Sequence, residues 1–268
     1  MKTILFDMDG TLTPAREKMT QFMCRTLASL QKDGYRIGIV SGSDIDYIIE
    51  QCEVLTDINR FDHTAIDIYP CNGTKHYRYT THSNLINLYK NDFKKKVGSD
   101  LFSELVYSLF SLLSSFTSKN YKYNIPLTGN FIDYRGSMIN FSPIGRNASQ
   151  KDRLDWIKLD KKYDIRKELL NQLRSKFNNK DIEFKLGGET SIDICPTGWD
   201  KTYVLKNFKD EEEVWFIGDR CEVNGNDKEL YDAVKLRIKG ESFKTTGPSK
   251  TIAIINNRIL QHPNQLKR

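Results

Sequence analysis

Thr3-Ile4-Leu5-Phe6 runs straight into Asp7-Met8-Asp9-Gly10-Thr11-Leu12-Thr13, and no other stretch narrows the fold as much. A short apolar run that stops on two carboxylates reads as a buried strand. Such a strand delivers acidic side chains to its carboxyl end, where open α/β sheets keep their sites. Gly10 lets the backbone turn and approach a ligand closely, and Thr11 or Thr13 can cap the segment that follows. Asp7 and Asp9 repel each other unless a cation lies between them, which points to a hard metal such as Mg²⁺. Taken alone, the run reads equally well as a strand-end Asp-Gly turn with an exposed acidic pair.

The following residues extend the α/β reading. Phe22, Met23, Leu27 and Leu30 recur at helical spacing over Lys18–Lys32, Gly34 ends that helix, and Tyr35–Val40 is a second buried strand stopping at Ser41-Gly42-Ser43-Asp44. A helix over Asp46–Cys52 and a third strand over Ala65–Ile68, closed by Pro70 and the Asn72-Gly73 turn signal, complete a parallel unit. From about His82 the texture changes. Asn84–Thr117 is polar and helical with Leu101, Leu105, Leu109, Leu112 and Leu113 on one face; Phe131–Arg135 and Met138–Phe141 flank Gly136-Ser137 as a hairpin. Helices over Ser149–Lys161 and Ile165–Phe177 and a strand over Glu183–Leu186 follow. Beyond Gly198 the α/β pattern returns: a short helix over Thr202–Phe208, a buried strand Val214–Ile217 ending at Gly218-Asp219, a helix at Leu230–Ala233 and a last strand over Val234–Ile238. Thr251–Leu260 reads as strand by its isoleucines and as helix by Pro248-Ser249. The simplest organisation is a Rossmann-like parallel-sheet core from residues 1–81 and 197–268, with an α+β domain inserted at 82–196.

Composition removes several classes of function. A net charge of +6 over 268 residues, with basic and acidic side chains interspersed, argues against nucleic acid and fits an enzyme that handles phosphorylated anions. Cys24, Cys52, Cys71, Cys195 and Cys221 are odd in number and contain no CxxC pair. They read as free thiols of a reducing, cytoplasmic setting rather than a disulfide frame or zinc site. No signal peptide or membrane span is evident.

Three strand ends that bear acids or hydroxyls converge in this reading, Asp7/Asp9, Ser41 and Asp219, and Lys201 opens a helix just before the last strand. That set suits phosphoryl transfer, in which a carboxylate attacks phosphorus while Mg²⁺ and a lysine balance the spreading charge. In this order the motifs resemble the haloacid-dehalogenase superfamily. Within it, Asp7–Arg16, Asn140–Arg146, Gly187–Asp193 and Gly198–Lys201 are similar to the eukaryotic-type phosphomannomutases over nearly the whole chain.

The resemblance implies that Asp7 is the nucleophile and Asp9 the general acid/base, with Lys201 beside them. It implies a Mg²⁺ held by Asp7, the backbone carbonyl of Asp9, and Asp219, supported from behind by Asn226 and Asp227. Ser41, with Ser43 as the alternative donor, and Thr11 would take phosphate oxygens. Arg135, Arg146 and Arg153, with Arg16 from the core loop, would cradle the distal phosphate in bidentate fashion, and Ser191 and Asp193 would contact phosphate and sugar hydroxyls. The implied activity interconverts mannose 6-phosphate and mannose 1-phosphate, with a hexose 1,6-bisphosphate as activator and homodimerisation through the inserted domain. A sugar-phosphate phosphatase or a broader hexose phosphomutase acting on glucose phosphates is the alternative. Some positions depart from the family pattern: Thr128 stands where an arginine is usual, Tyr47 where a basic residue is usual, and Asn224 where a glycine is usual. A carboxylate for a second cation is missing around Ala233, and the helical stretch Asn84–Lys122 is longer than usual.

Overall fold

The computed structural model describes residues 2–56, 61–82, 84–120, 125–223 and 225–260. The chain divides into two compact units, one from Met1–Lys90 and Trp199–Arg268 and the other from Asn91–Gly198. The strands of the first are β1 (Lys2–Phe6), β2 (Tyr35–Val40), β3 (Ile66–Tyr69), β4 (Lys75–Tyr79), β5 (Leu85–Lys90), β10 (Glu213–Gly218) and β11 (Gly240–Lys244). They form one seven-stranded sheet in the order β11-β10-β1-β2-β3-β4-β5. The strands from β11 to β3 pair in parallel, while β4 and β5 add an antiparallel edge. Phe6 is level with Ile217 on one side and Ile39 on the other. The next residues of three neighbouring strands therefore leave the sheet together, and Asp7, Ser41 and Asp219 emerge at one carboxyl edge.

Burial explains why β1, β2 and β10 read so clearly. Ile4, Leu5, Phe6, Ile37, Ile39, Val214, Phe216 and Ile217 are fully enclosed, as strands covered on both faces must be. Helix Gln21–Lys32 starts three residues later than its periodicity predicts. The Thr20 hydroxyl accepts from the Met23 N–H and sets that start. Phe22 points outward, and Met23, Leu27 and Leu30 form the buried stripe with Cys24 and Ala28.

Several expectations are corrected. Leu85–Lys90 is not helical: it pairs with β4, and the division between units falls at residue 90 rather than 81. Neither strand reads as apolar because the edge is built on polar contacts. Buried Asp67 of β3 accepts from Arg36 at 2.8 Å and Arg78 at 2.7 Å, with His76 at 2.7 Å. Burial opposes the Asp67 charge, but these partners hold its pKa down to about 2. Val234–Ile238 is not the last strand. Val234 belongs to helix Lys228–Lys235 and buries its side chain there, and the strand is β11, two residues beyond Ile238. Thr251–Leu260 is helical, as Pro248–Ile254 followed by a π-turn over Ile255–Leu260.

The second unit contains β6 (Ile132–Tyr134), β7 (Ile139–Phe141), β8 (Ile182–Gly187) and β9 (Ser191–Pro196), which form an antiparallel sheet in the order β6-β7-β9-β8. One face is apolar: Ile139, Phe141, Ile182, Phe184, Ile192 and Ile194 pack with Phe93, Leu105, Leu109, Trp156, Leu169 and Leu173 of the helices. The leucine face of helix Ser99–Asn120 is thus used inside this unit, with Leu101, Leu112 and Leu113 at its margin. The end of the expected Asn84–Lys122 stretch and Asn224 lie outside the described residues. All five cysteines are free and buried, and among the described residues no helix is long and apolar enough to cross a membrane.

Candidate active site

Asp7 follows β1 directly, and its N–H donates to the Ile217 carbonyl at 3.0 Å. Its side chain is buried and takes a hydrogen bond from Lys201 Nζ, which also donates to Asp227 Oδ1 at 2.5 Å. Lys201 itself is 1% exposed. Asp200 caps the 3₁₀ turn that Lys201 opens, accepting from the Thr202 N–H at 2.9 Å, and so aims the lysine inward. Asp7, Asp219 and Asp227 present carboxylate oxygens within 4.8 Å of one another. Gly10 adopts φ +83°, and a Cβ there would run into the Asp219 carboxylate, so no other residue lets the loop pass so close.

One lysine does not neutralise this cluster. Burial first, then the Asp227 charge, lifts the Asp7 carboxyl well above the ordinary aspartate range, and the same causes push Asp219 up to about 6. Burial also works against the Lys201 charge, yet Asp227 and Asp7 hold its pKa above the usual lysine value. Crowded, partly dehydrated carboxylates are the donor set that a hard divalent cation satisfies. The buried Asn226 Oδ1 and Thr11 Oγ1, which have no hydrogen-bond partner among the described residues, fit the same need for a ligand. Asp227 belongs to the same cluster. Its two oxygens are engaged by Lys201 Nζ and by the Arg220 N–H at 3.1 Å.

Asp9 is oriented separately. Its Oδ1 accepts from the Arg16 backbone N–H at 3.0 Å and from the Tyr47 hydroxyl at 3.1 Å. Arg16 turns its amide that way by holding φ +64°, a left-handed conformation that costs a non-glycine residue free energy. Ser41 is buried and its Oγ accepts the Ser43 N–H at 3.1 Å, which leaves the hydroxyl hydrogen for an anion. The loop is braced by the buried left-handed turn after β3: the Asn72 and Cys71 N–H groups donate to the Ser41 and Ser43 carbonyls. Thr11 does not cap, whereas Thr13 Oγ1 returns to the Met8 carbonyl at 3.4 Å.

The second unit assembles a different constellation on the polar face of its sheet. Strand register sets Asp133, Asn140, Asp193 and Lys185 in one cross-strand row. Asp133 Oδ2 receives Arg135 Nε at 3.0 Å and Arg146 Nε at 3.3 Å, and Arg146 Nη1 donates to Asn140 Oδ1 at 2.9 Å. Asn140 Nδ2 in turn donates to Ser191 Oγ at 2.8 Å and Asp193 Oδ1 at 2.6 Å. Two guanidiniums are thereby held close together and preorganised by one carboxylate, the chemistry of a phosphate receptor. Arg153 lies in the first turn of helix Gln150–Tyr163 in the same unit. Arg166 binds the Gly188 and Ser191 carbonyls at 3.0 and 3.2 Å and steadies the turn that presents Ser191. Thr128 brings no charge: its hydroxyl donates to the Ile144 carbonyl at 2.9 Å.

Asp7, Lys201, Asp219 and Asp227 thus come together in the first unit, with Asp9, Arg16 and Tyr47 forming a linked set. Arg135, Arg146, Ser191 and Asp193 come together in the second. Sequence reasoning missed Asn140 and Asp133 as the hubs of that second group. The signals for Asn140 are its place at the head of the Asn140–Arg146 stretch that carries the family resemblance and its being an amide in an apolar alternation.

The family described as Eukaryotic phosphomannomutase matches residues 23–261. A phosphomannomutase of Encephalitozoon cuniculi is 38% identical over 237 residues, 86% of this chain and 85% of that protein. A phosphomannomutase of Saccharomyces cerevisiae is 34% identical over 254 residues, 94% of this chain and 92% of that protein. Among solved structures, an N-terminally truncated, IMP-bound IMP-nucleotidase of Plasmodium falciparum aligns with a TM-score of 0.67 over 96% of this chain and 67% of that one. Its sequence identity is 15%, so the likeness is one of fold.

Proposed function

The chain belongs to the eukaryotic phosphomannomutase family, and from that premise we propose that it interconverts mannose 6-phosphate and mannose 1-phosphate through a phosphorylated Asp7. The observation that carries the reading is the pairing of Asp7 with buried Lys201 while Asp9, two residues on, is held apart by its own donors. An Asp7 oxygen forms a bond to phosphorus as the bond from phosphorus to the sugar oxygen breaks. Asp9 gives that oxygen its proton and takes one back when the other sugar hydroxyl attacks the phosphoaspartate. Lys201 stays charged throughout and faces the phosphoryl oxygens. Asp7, the Asp9 carbonyl and Asp219 are the groups that would hold Mg²⁺, which when bound supplies further positive charge against the phosphoryl group. Ser41, with Ser43 and Thr11, would donate to its oxygens.

A mutase must present each phosphate of a hexose bisphosphate to Asp7 in turn, so it needs a second anion site. Arg135 and Arg146 on the polar sheet face, with Arg153 and Arg16, are our assignment for it, and Ser191 and Asp193 for the sugar hydroxyls. The reading includes a hexose 1,6-bisphosphate activator, a cytoplasmic setting and a second copy joined through the inserted unit. The leucines at 101–113 pack within that unit, so exposed Tyr107 and Phe110 of the same helix are the better dimer contacts. Thr128 favours hydrolysis as a second reading, because it adds no cation to the distal site.

The assay follows mannose 1-phosphate with Mg²⁺, with and without a catalytic amount of bisphosphate. Bisphosphate-dependent isomerisation with little inorganic phosphate is expected. Steady phosphate release indifferent to bisphosphate would establish the hydrolase instead, and glucose 1-phosphate run in parallel ranks the sugars.

Metal binding has a pH signature. Asp7 and Asp219 hold protons more tightly in the folded chain than in the unfolded one. Stability of the metal-free protein therefore falls as pH rises, for Asp219 from about 4 through about 6, with Asp7 acting in the same direction. A divalent cation competes for the same oxygens. Added Mg²⁺ should raise the melting temperature by a few degrees at pH 7.5 and by clearly less at pH 5. Equal shifts at both pH values would remove these carboxylates as the binding site.

A further inference from the structure

We propose that Tyr47 is a positioning residue for Asp9, fixing which carboxyl oxygen exchanges the proton with the sugar. Tyr47 lies in the first turn of helix Ile45–Gln51, and its ring packs against the main core cluster of the first unit. Its hydroxyl reaches out of that packing to Asp9 Oδ1 at 3.1 Å. The Arg16 N–H meets the same oxygen at 3.0 Å, from a backbone held at φ +64°.

Two donors from separate segments converge on one oxygen, which removes both torsional freedoms of a short side chain. Among the described residues Oδ2 accepts no hydrogen bond, and it is the oxygen left to carry the proton. Orientation of this kind matters because proton transfer requires the acid within hydrogen-bond reach of the reacting oxygen. A phenol can hold that oxygen as a neutral donor while its ring stays packed against the core.

The inference rests on the proposed phosphoryl transfer, and the test separates the two. Tyr47→Phe keeps the packed ring and removes only the donor. On a hexose phosphate, whose leaving oxygen needs Asp9's proton, kcat should fall about tenfold while KM stays within about twofold. On p-nitrophenyl phosphate, whose leaving group departs with little help, the p-nitrophenolate burst that precedes phosphoenzyme breakdown should slow at least about threefold less. Equal losses on both substrates, a change in KM alone, or no loss on the sugar would overturn the assignment. Phosphate release from the sugar phosphate reports on Tyr47 even if the wild-type chain does not isomerise, so failure of the mutase reading is seen separately.

Discussion

Lys201→Met is expected to cost about 10²–10³-fold in phosphoryl transfer and to weaken the fold by about 3–5 kcal/mol near neutral pH. The two losses have one origin. Lys201 is buried and donates to both Asp7 and Asp227, and Asp219 lies in the same cluster. Methionine matches its length and volume, so little of the effect comes from a cavity. What remains is a group of enclosed carboxylates without their cation, which must take up protons or unfold. Urea denaturation at pH 7.5 should show the deficit, and at pH 5 it should shrink because protons replace the lysine. Mg²⁺ should restore part of the stability and little of the rate. An unfolding free energy equal to wild type at pH 7.5 would show that the cluster is neutralised by other means.

Asp7→Asn should have the opposite balance. Turnover should drop at least about 10³-fold, since an amide cannot form the acyl phosphate. The metal-free protein should be as stable as wild type or more so at neutral pH. Asp7 carries a raised pKa in the folded chain chiefly because burial penalises its charge, and the amide removes that penalty while Asp227 keeps its bond to Lys201. Activity here is maintained against stability. Trapping of radiolabelled phosphoenzyme from a bisphosphate donor, alongside melting curves, checks both halves. A variant that still labels would move the nucleophile elsewhere, and one that melts well below wild type would mean that Asp7 holds the loop rather than straining it.

Both variants concern residues that are legible in the sequence, and the reason is local. Asp7 and Asp9 lie on one segment, at the end of a strand whose Ile4, Leu5 and Phe6 are enclosed on both faces. Enclosure leaves a continuous apolar run that stops abruptly, and the stop marks the site. The antiparallel edge is not legible because β4 carries His76 and Arg78, which answer Asp67 across the sheet, and so lacks an apolar pattern. Before β11 the apolar signal is misleading: Val234 belongs to a helix, and Leu236 and Ile238 are exposed in the turn that follows it. Asn140 and Asp133 acquire meaning only through register, which places them beside Asp193 and between two arginines. Tyr47 is only a departure from a pattern until its hydroxyl is placed on Asp9.

The order of strands in the larger sheet also sets a timetable for synthesis. Lys2 pairs with Tyr35 on one side but with Glu213 on the other. At about 5–20 residues per second, the second flank of β1 waits on the order of 10–40 s after its first neighbour has been made. For most of that interval Asp7 has neither Lys201 nor Asp227, because about three quarters of the chain precedes both. An open strand edge beside an unneutralised acid would invite mispairing, and charge repulsion at that end opposes it. The carboxylates that later serve chemistry can thus act first as gatekeepers of a half-made sheet.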